Sequence, residues 1–227
     1  MSKCVHLHVE TLETMTNQDY KNAALAALKG NWAPAVLASI VYVLIALVVS
    51  GSQAFFTDPT STAFQIATGG GSLLSLLVLI PLEVGFYYAF VKLFVEGDTD
   101  ILRNSFSIGF SGWGHKVWTM ILMGLAVLGG FILFVIPGII LAFSYAMVPY
   151  LLVKHPELSA TDTLKASRMM MKGHKFDYFY LCLSFIGWIF ASIATLGIGF
   201  FWLMPYMQTT LAAFWEDVYA LAHRENV

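Results

Sequence analysis

Six stretches of this sequence stay apolar over the roughly 20 residues that a helix needs to cross a bilayer, and that fact constrains every other reading of it. They run approximately from Trp32 to Ser50, Leu73 to Val95, Val117 to Ile136, Ile139 to Val153, Tyr178 to Leu196 and Phe200 to Tyr219. Charged residues make up only 11% of the 227 positions, less than half of the roughly 25% that a soluble domain uses to solvate its surface. A soluble globular domain, a disordered chain and a coiled coil all fail on these numbers. What remains is an all-α, polytopic membrane protein with six transmembrane helices.

Two connections are very short, Pro137-Gly138 and Gly197 to Gly199, so the third and fourth spans, and the fifth and sixth, are expected to form tight antiparallel hairpins. All 12 Lys and Arg fall on one side of these spans, and the loops Gly51 to Ser72, Pro137-Gly138 and Gly197 to Gly199 carry none. The positive-inside rule then puts both termini in the cytoplasm. Ser52-Gln53-Ala54 resembles a leader cleavage site, but 31 residues of mixed polarity precede the first apolar run, which is read as an uncleaved span. Residues 1–14 form a poorly organised segment ahead of a single six-span domain over 15–227, and Met15 is a second candidate start.

Self-similarity organises that domain. Gly114-His115-Lys116 recurs 59 residues later as Gly173-His174-Lys175, and Gly138 recurs as Gly197 at the same offset. Lys29-Gly30-Asn31 reads as a diverged third copy, with Asp19 standing 11 residues before Gly30 as Asp162 stands 11 before Gly173. The spacing predicts three helical-hairpin repeats, about 17–95, 99–153 and 159–219, each preceded by a cytoplasmic amphipathic helix at the interface. The clearest such helix follows Ser159 and Asp162 and ends at Gly173. Ala160, Leu164, Ser167 and Met171 share one face and Thr161, Lys165, Arg168 and Lys172 another, so Lys165, Arg168, Lys172 and Lys175 are expected to bind anionic lipid headgroups. Small residues four apart, at Gly187, Ala191, Thr195 and Gly199, at Gly138, Ala142 and Ala146, and at Ala126 and Gly130, mark interhelical seams.

The acidic side chain near mid-bilayer is Glu83, and an ionisable group there is a functional hypothesis by default. Pro81, two residues earlier, lacks a backbone donor, so a kink and a freed carbonyl at Leu77 are expected beside it. No Lys or Arg lies at matching depth, which leaves Ser144, Tyr145, Tyr206, Gln208 and Thr209 as potential partners. Pro149 and Pro205 occupy corresponding places in the other return spans, an arrangement used both by transporter sites and by plain bundles. His115 and His174 have no second ligand at helical spacing, and Cys4, His6, His8 and Glu10 offer one only as an extended segment. Neither a metal nor a cofactor is expected. Cys4 and Cys182 imply no disulfide framework, no basic and aromatic patch suggests nucleic acid, and no hydrolase, metalloprotease or phosphate-loop pattern suggests an enzyme.

Ile136-Pro137-Gly138-Ile139-Ile140, the stretch from Val148-Pro149-Tyr150 through His155-Pro156-Glu157, Met170 to Lys175, Phe185-Ile186-Gly187-Trp188 and Pro205-Tyr206 resemble the bacterial integral membrane proteins grouped as domain of unknown function 975. The resemblance spans roughly Asn17 to Val218 and implies a protein of the bacterial cytoplasmic membrane. More loosely, the architecture is similar to the membrane domain of some glycerophosphodiester phosphodiesterases. Two functions fit: a non-enzymatic carrier or binder of a lipid, peptide or small amphiphile within the bundle, or a membrane scaffold, assembly partner or immunity-type protein that acts through another membrane protein or a second copy of itself.

Overall fold

The computed structural model describes residues 15–51 and 62–224. The N-terminal segment with Cys4, His6, His8 and Glu10, and residues 52–61 of the first loop, lie outside the described residues. Regular structure among the described residues is α-helical. α1 (Asn17–Leu28) begins at a reciprocal cap, in which the Thr16 hydroxyl accepts the Asp19 N–H and the Asp19 carboxylate accepts the Thr16 N–H at 2.9 Å. Gly30, at φ +86°, turns the chain into α2 (Trp32–Gly51). α3 (Thr62–Glu96) is unbroken for 35 residues, about 50 Å at 1.5 Å per residue. It therefore begins well ahead of the expected Leu73 and takes part of the expected loop, including Gly69 to Gly71, into the helix. There follow α4 (Ile101–Phe110), α5 (Trp113–Leu133), α6 (Val135–Ser144), α7 (Val148–Lys154), α8 (Ala160–Met170), α9 (Lys175–Leu183), α10 (Ile186–Ala194) and α11 (Phe200–Arg224).

The α5–α6 hairpin turns at Phe134, three residues ahead of Pro137-Gly138. Pro137 sits in the first turn of α6, where a missing donor costs nothing. Gly138 is a packing position instead: a Cβ there would overlap the Phe131 ring, and one on Gly130 would lie 3.0 Å from the Gly138 Cα. The second hairpin turns at Leu196 and Gly197, with φ +54° and +88°, where the sequence puts it.

Two of the expected spans are broken in the middle. The fourth divides into α6 and α7 at Tyr145 to Met147, and Pro149 falls in the first turn of α7, so the proline opens a new helix rather than kinking an old one. The fifth divides into α9 and α10 at Ser184 and Phe185. Each break frees a carbonyl, and each carbonyl finds a side chain from a distant helix. The Ser167 hydroxyl of α8 donates to Ser144 O at 2.9 Å, and the Lys21 ammonium of α1 donates to Ser184 O at 3.1 Å while standing 4.7 Å from the centre of the Phe185 ring.

α11 packs against α1, α2, α3, α8 and α10. Ala212, Phe214, Trp215 and Val218 are buried along it, and the largest core cluster forms around them with Tyr20, Phe94, Tyr150 and Met171. The Tyr20 hydroxyl donates to Asp217 at 2.6 Å, tying α1 to α11. The outer surface is the reverse of a soluble protein's: Ile132, Leu133, Phe134, Val135 and Ile136 are each more than 60% exposed. Such an apolar surface needs a bilayer or a partner to cover it.

Among the described residues, five segments are long and apolar enough to cross a membrane: Trp32–Val49, Leu76–Glu96, Trp113–Leu133, Val135–Lys154 and Lys175–Ala194. α11, the sixth span expected from the sequence, is one continuous helix, but Gln208, Thr209 and Thr210 interrupt its apolar run. Both threonines are fully buried and donate to the Pro205 and Tyr206 carbonyls, so the polar centre of α11 is shielded by the helices around it.

α4 runs back along α3 with the two backbones in contact. A Cβ on Gly85 would overlap Ser105 O, and one on Gly109 would lie 2.5 Å from Pro81 O. The connection before α4 is fastened by Asp98, which accepts from Asn104 Nδ2 at 2.9 Å, from the Asp100 N–H at 2.9 Å and from Lys92 Nζ at 3.1 Å. These bonds, that from Asn104 foremost, hold its carboxyl down at about 2. At Gly187, by contrast, a Cβ would meet nothing within 4 Å, so this glycine is not the seam that its spacing suggests.

Two outcomes follow from this packing. Gly85→Ala lowers the thermal stability of the purified protein by about 1–3 kcal/mol or more, because backbone cannot yield as a side chain can, whereas Gly187→Ala leaves it unchanged or raises it. Asp98 has a lower pKa folded than unfolded, so its contribution is present above pH 4 and fades as pH falls toward 2. The deficit of Asp98→Asn against the wild type, measured by thermal unfolding in detergent, is therefore full at pH 7 and narrows steadily between pH 4 and 2.

Candidate functional site

Glu83 lies just past Pro81 on α3, and both its neighbours in sequence, Leu82 and Val84, are buried. The Tyr87 hydroxyl, one turn on, donates to Glu83 Oε1 at 2.5 Å. This is an i, i+4 pair on one helix face, a spacing that could have been read from the sequence and was not. Both side chains line a cavity of about 480 Å³. Its other walls come from α5 (Met120, Met123, Val127), the broken α6–α7 pair (Ala142, Tyr145, Pro149) and α11 (Leu211, Trp215). Leu128 and Phe131 also border it and are 55% and 42% exposed, so the cavity meets the apolar outer surface. Trp215, stacked edge-on near Tyr87 with centroids 6.1 Å apart, has a buried indole N–H without a partner among the described residues.

The potential partners of Glu83 separate. Tyr145 lines the same cavity. Ser144 donates to Ile140 O at 2.6 Å and Thr209 to Pro205 O at 2.8 Å, so both serve their own helices. Gln208 Oε1 is buried without a partner among the described residues. Tyr206 borders a different cavity of about 440 Å³, with Trp32, Trp188 and Trp202. The structure thus brings Tyr145 to Glu83 and leaves Tyr206, Gln208 and Thr209 elsewhere.

Pro81 leaves the Leu77 carbonyl without its i+4 donor, and the Trp113 indole N–H supplies one at 2.7 Å. The cation side chains Lys165, Arg168 and Lys172 are exposed, as is Thr161, while Ala160, Thr163, Ser167 and Met171 are buried. Lys165 lies 3.3 Å from Asp162, and Lys175 is half-buried.

A second polar cluster went unread in the sequence because the hydrogen bonds that join its two halves span 66 and 64 positions. The Tyr150 hydroxyl donates to Glu216 at 2.9 Å, Lys154 approaches the same oxygen at 3.6 Å, and His155 bonds through Nε2 to the Tyr219 hydroxyl at 2.8 Å. His155 Nδ1 meets Glu157 at 2.9 Å, and the exposed Glu157 carboxyl is held below its ordinary range by its own backbone N–H and then by that imidazole. The cluster fastens the end of α7 to the end of α11. Among the described residues no group of His, Cys, Asp and Glu could hold a metal ion.

An all-α fold with five apolar segments of bilayer length is that of a membrane protein. The model of the family described as protein of unknown function (DUF975) matches residues 116–222, and over that region the chain is similar to the family. The match takes in most of the cavity wall but not Glu83 and Tyr87. No curated protein and no solved structure matches the chain. The looser likeness to the membrane domain of glycerophosphodiester phosphodiesterases finds no counterpart in these comparisons.

The Trp113 bond exists because Pro81 cannot donate, and that makes the two residues interdependent. Trp113→Phe costs about 1 kcal/mol of stability, and the cost falls in the Pro81→Ala background, where residue 81 regains an N–H for Leu77 O. A double-mutant cycle from thermal unfolding measures the difference.

Proposed function

We propose that this is a multi-pass protein of the bacterial cytoplasmic membrane that binds or carries a small amphiphile in the cavity beside Glu83, without catalysing a reaction. The observation that carries this reading is the cavity itself: one carboxylate, steadied by Tyr87, in a chamber otherwise lined by methionine, aliphatic and aromatic side chains. Glu83 offers an acceptor and Trp215 an unused donor, so the polar head of a lipid, peptide or amine-bearing amphiphile has two places to bond. Its hydrocarbon part lies along Met120, Met123 and Val127, toward the opening at Leu128 and Phe131.

In the topology we favour, α11 is a sixth span within the bundle, both termini are cytoplasmic and three hairpin repeats cover about 17–95, 99–153 and 159–219. The matched caps support it: Thr16 with Asp19 precedes Gly30 at φ +86°, and Ser159 with Asp162 precedes Gly173 at φ +96°. So does the packing of the short helices, α4 on α3, α8 on α7 and α1 on α11. The exposed Lys165, Arg168 and Lys172, with Lys175, then meet anionic headgroups at the cytoplasmic face.

The test is native mass spectrometry of the protein released from nanodiscs made directly from its own membranes. The wild type carries a small molecule, and Glu83→Gln loses at least about tenfold of its occupancy, or about 1.4 kcal/mol, without a change in Tm. Equal occupancy in the two proteins, or a stoichiometric protein partner and no small molecule, would overturn the binder reading in favour of a scaffold.

A further inference from the structure

A separate cavity of about 320 Å³ lies where the end of α4, the start of α5 and the end of α7 meet. Lys116 lines it and is 4% exposed. Its ammonium donates to Ile108 O in the last turn of α4 and, at 2.6 Å, to Ser111 O just after it. Two acceptors occupy two of its three hydrogens, and both are neutral. The ion pairs of the described residues involve Lys92, Lys154, Lys165, His155 and His174 and leave Lys116 without a carboxylate. A buried cation with no counter-charge is expensive.

Beside it, His115 lines the same cavity, and its Nε2 is buried with no hydrogen-bond partner among the described residues. The corresponding pair 59 positions on behaves differently: His174 has Asp177 at 3.5 Å, and the position equivalent to Asp177 is Trp118. An acid like the one that stands beside His174 Nδ1 is thus missing from the earlier copy. Helix capping accounts for two hydrogens of Lys116, but not for the orphan imidazole nitrogen, the missing acid or the cavity. Ser107 and Ser111 stand at the rim with exposed side chains, and Leu152, Val153 and Pro156 form an apolar opposite wall.

We propose that this cavity binds a phosphate ester, with anionic oxygens on the third Lys116 hydrogen and on His115 Nε2–H, and with the Ser107 and Ser111 hydroxyls as further donors. Several donors around one anionic centre suit a tetrahedral phosphate, whose oxygens accept in different directions, and the volume leaves room for a glycerol-sized substituent against Leu152 and Val153. The phosphate comes from a phospholipid headgroup or from a soluble ester, and the two sources are separable.

In one arm, inorganic phosphate is titrated into the detergent-purified protein by calorimetry. In the other, the protein is released from phosphatidylglycerol nanodiscs and its retained lipids are counted by native mass spectrometry. His115→Phe is the main variant, because its Nε2 has no bond among the described residues to lose, and Lys116→Met is the second. Binding in either arm weakens about tenfold in His115→Phe with Tm unchanged and is lost in Lys116→Met, and phosphate binding is unaffected by Glu83→Gln. Lipid retention without phosphate binding assigns the headgroup, and phosphate binding without lipid retention assigns a soluble ester. Absence of binding in both arms, or equal binding by the wild type and His115→Phe, overturns the proposal. Because Glu83→Gln serves as a control here, failure of this site and failure of the amphiphile cavity register separately.

Discussion

A backbone carbonyl left without a donor inside a bilayer costs several kcal/mol, and in this chain the helical ladder fails at Pro81, at the α6–α7 break and at the α9–α10 break. Pro81 orphans Leu77 O, the α6–α7 break orphans Ser144 O and the α9–α10 break orphans Ser184 O. Trp113, Ser167 and Lys21 answer them in turn. Lys21 and Ser167 come from the short helices α1 and α8, and Trp113 is the first residue of α5. α1, α8 and the start of α5 are therefore fixed to the bundle by the same bonds that let the long segments be irregular, and removing one donor would expose a cost that no water is present to relieve.

Irregularity in turn makes the cavity. The α6–α7 break sets Tyr145 and Pro149 at the wall opposite α3, and the Pro81 region sets Glu83 and Tyr87 facing them. α11 closes the chamber with Leu211 and Trp215 while keeping its own Thr209 and Thr210 satisfied internally. The polar centre that lowers the hydropathy of α11 is tolerable because the helix is surrounded by protein. The same side chains on the lipid face of α5, where Ile132 and Leu133 are exposed, would not be.

The two candidate sites differ in the sign of what they lack. Glu83 is an acid with a hydroxyl partner and no cation, in a mostly apolar chamber. Lys116 is a cation with carbonyl partners and no acid, next to an unbonded imidazole. An amphiphile head would complete the first and a phosphate the second.

The sequence alone determined what depends on short stretches of chain: the all-helical membrane class, the helix start at Ser159, the turn at Gly197, and the freeing of Leu77 O by Pro81. Hydropathy, capping and proline's missing donor act within one or two helical turns, so they are legible without coordinates. Tertiary structure decided the rest. It set which side chain answers each freed carbonyl, across separations of 23, 36 and 163 residues, and it moved the first hairpin turn to Phe134 by seating Gly138 against Phe131. It also brought Tyr145 to Glu83 while sending Tyr206 to another cavity. These outcomes turn on how helices rotate and approach one another, which is a property of the packed bundle and of no single segment in it.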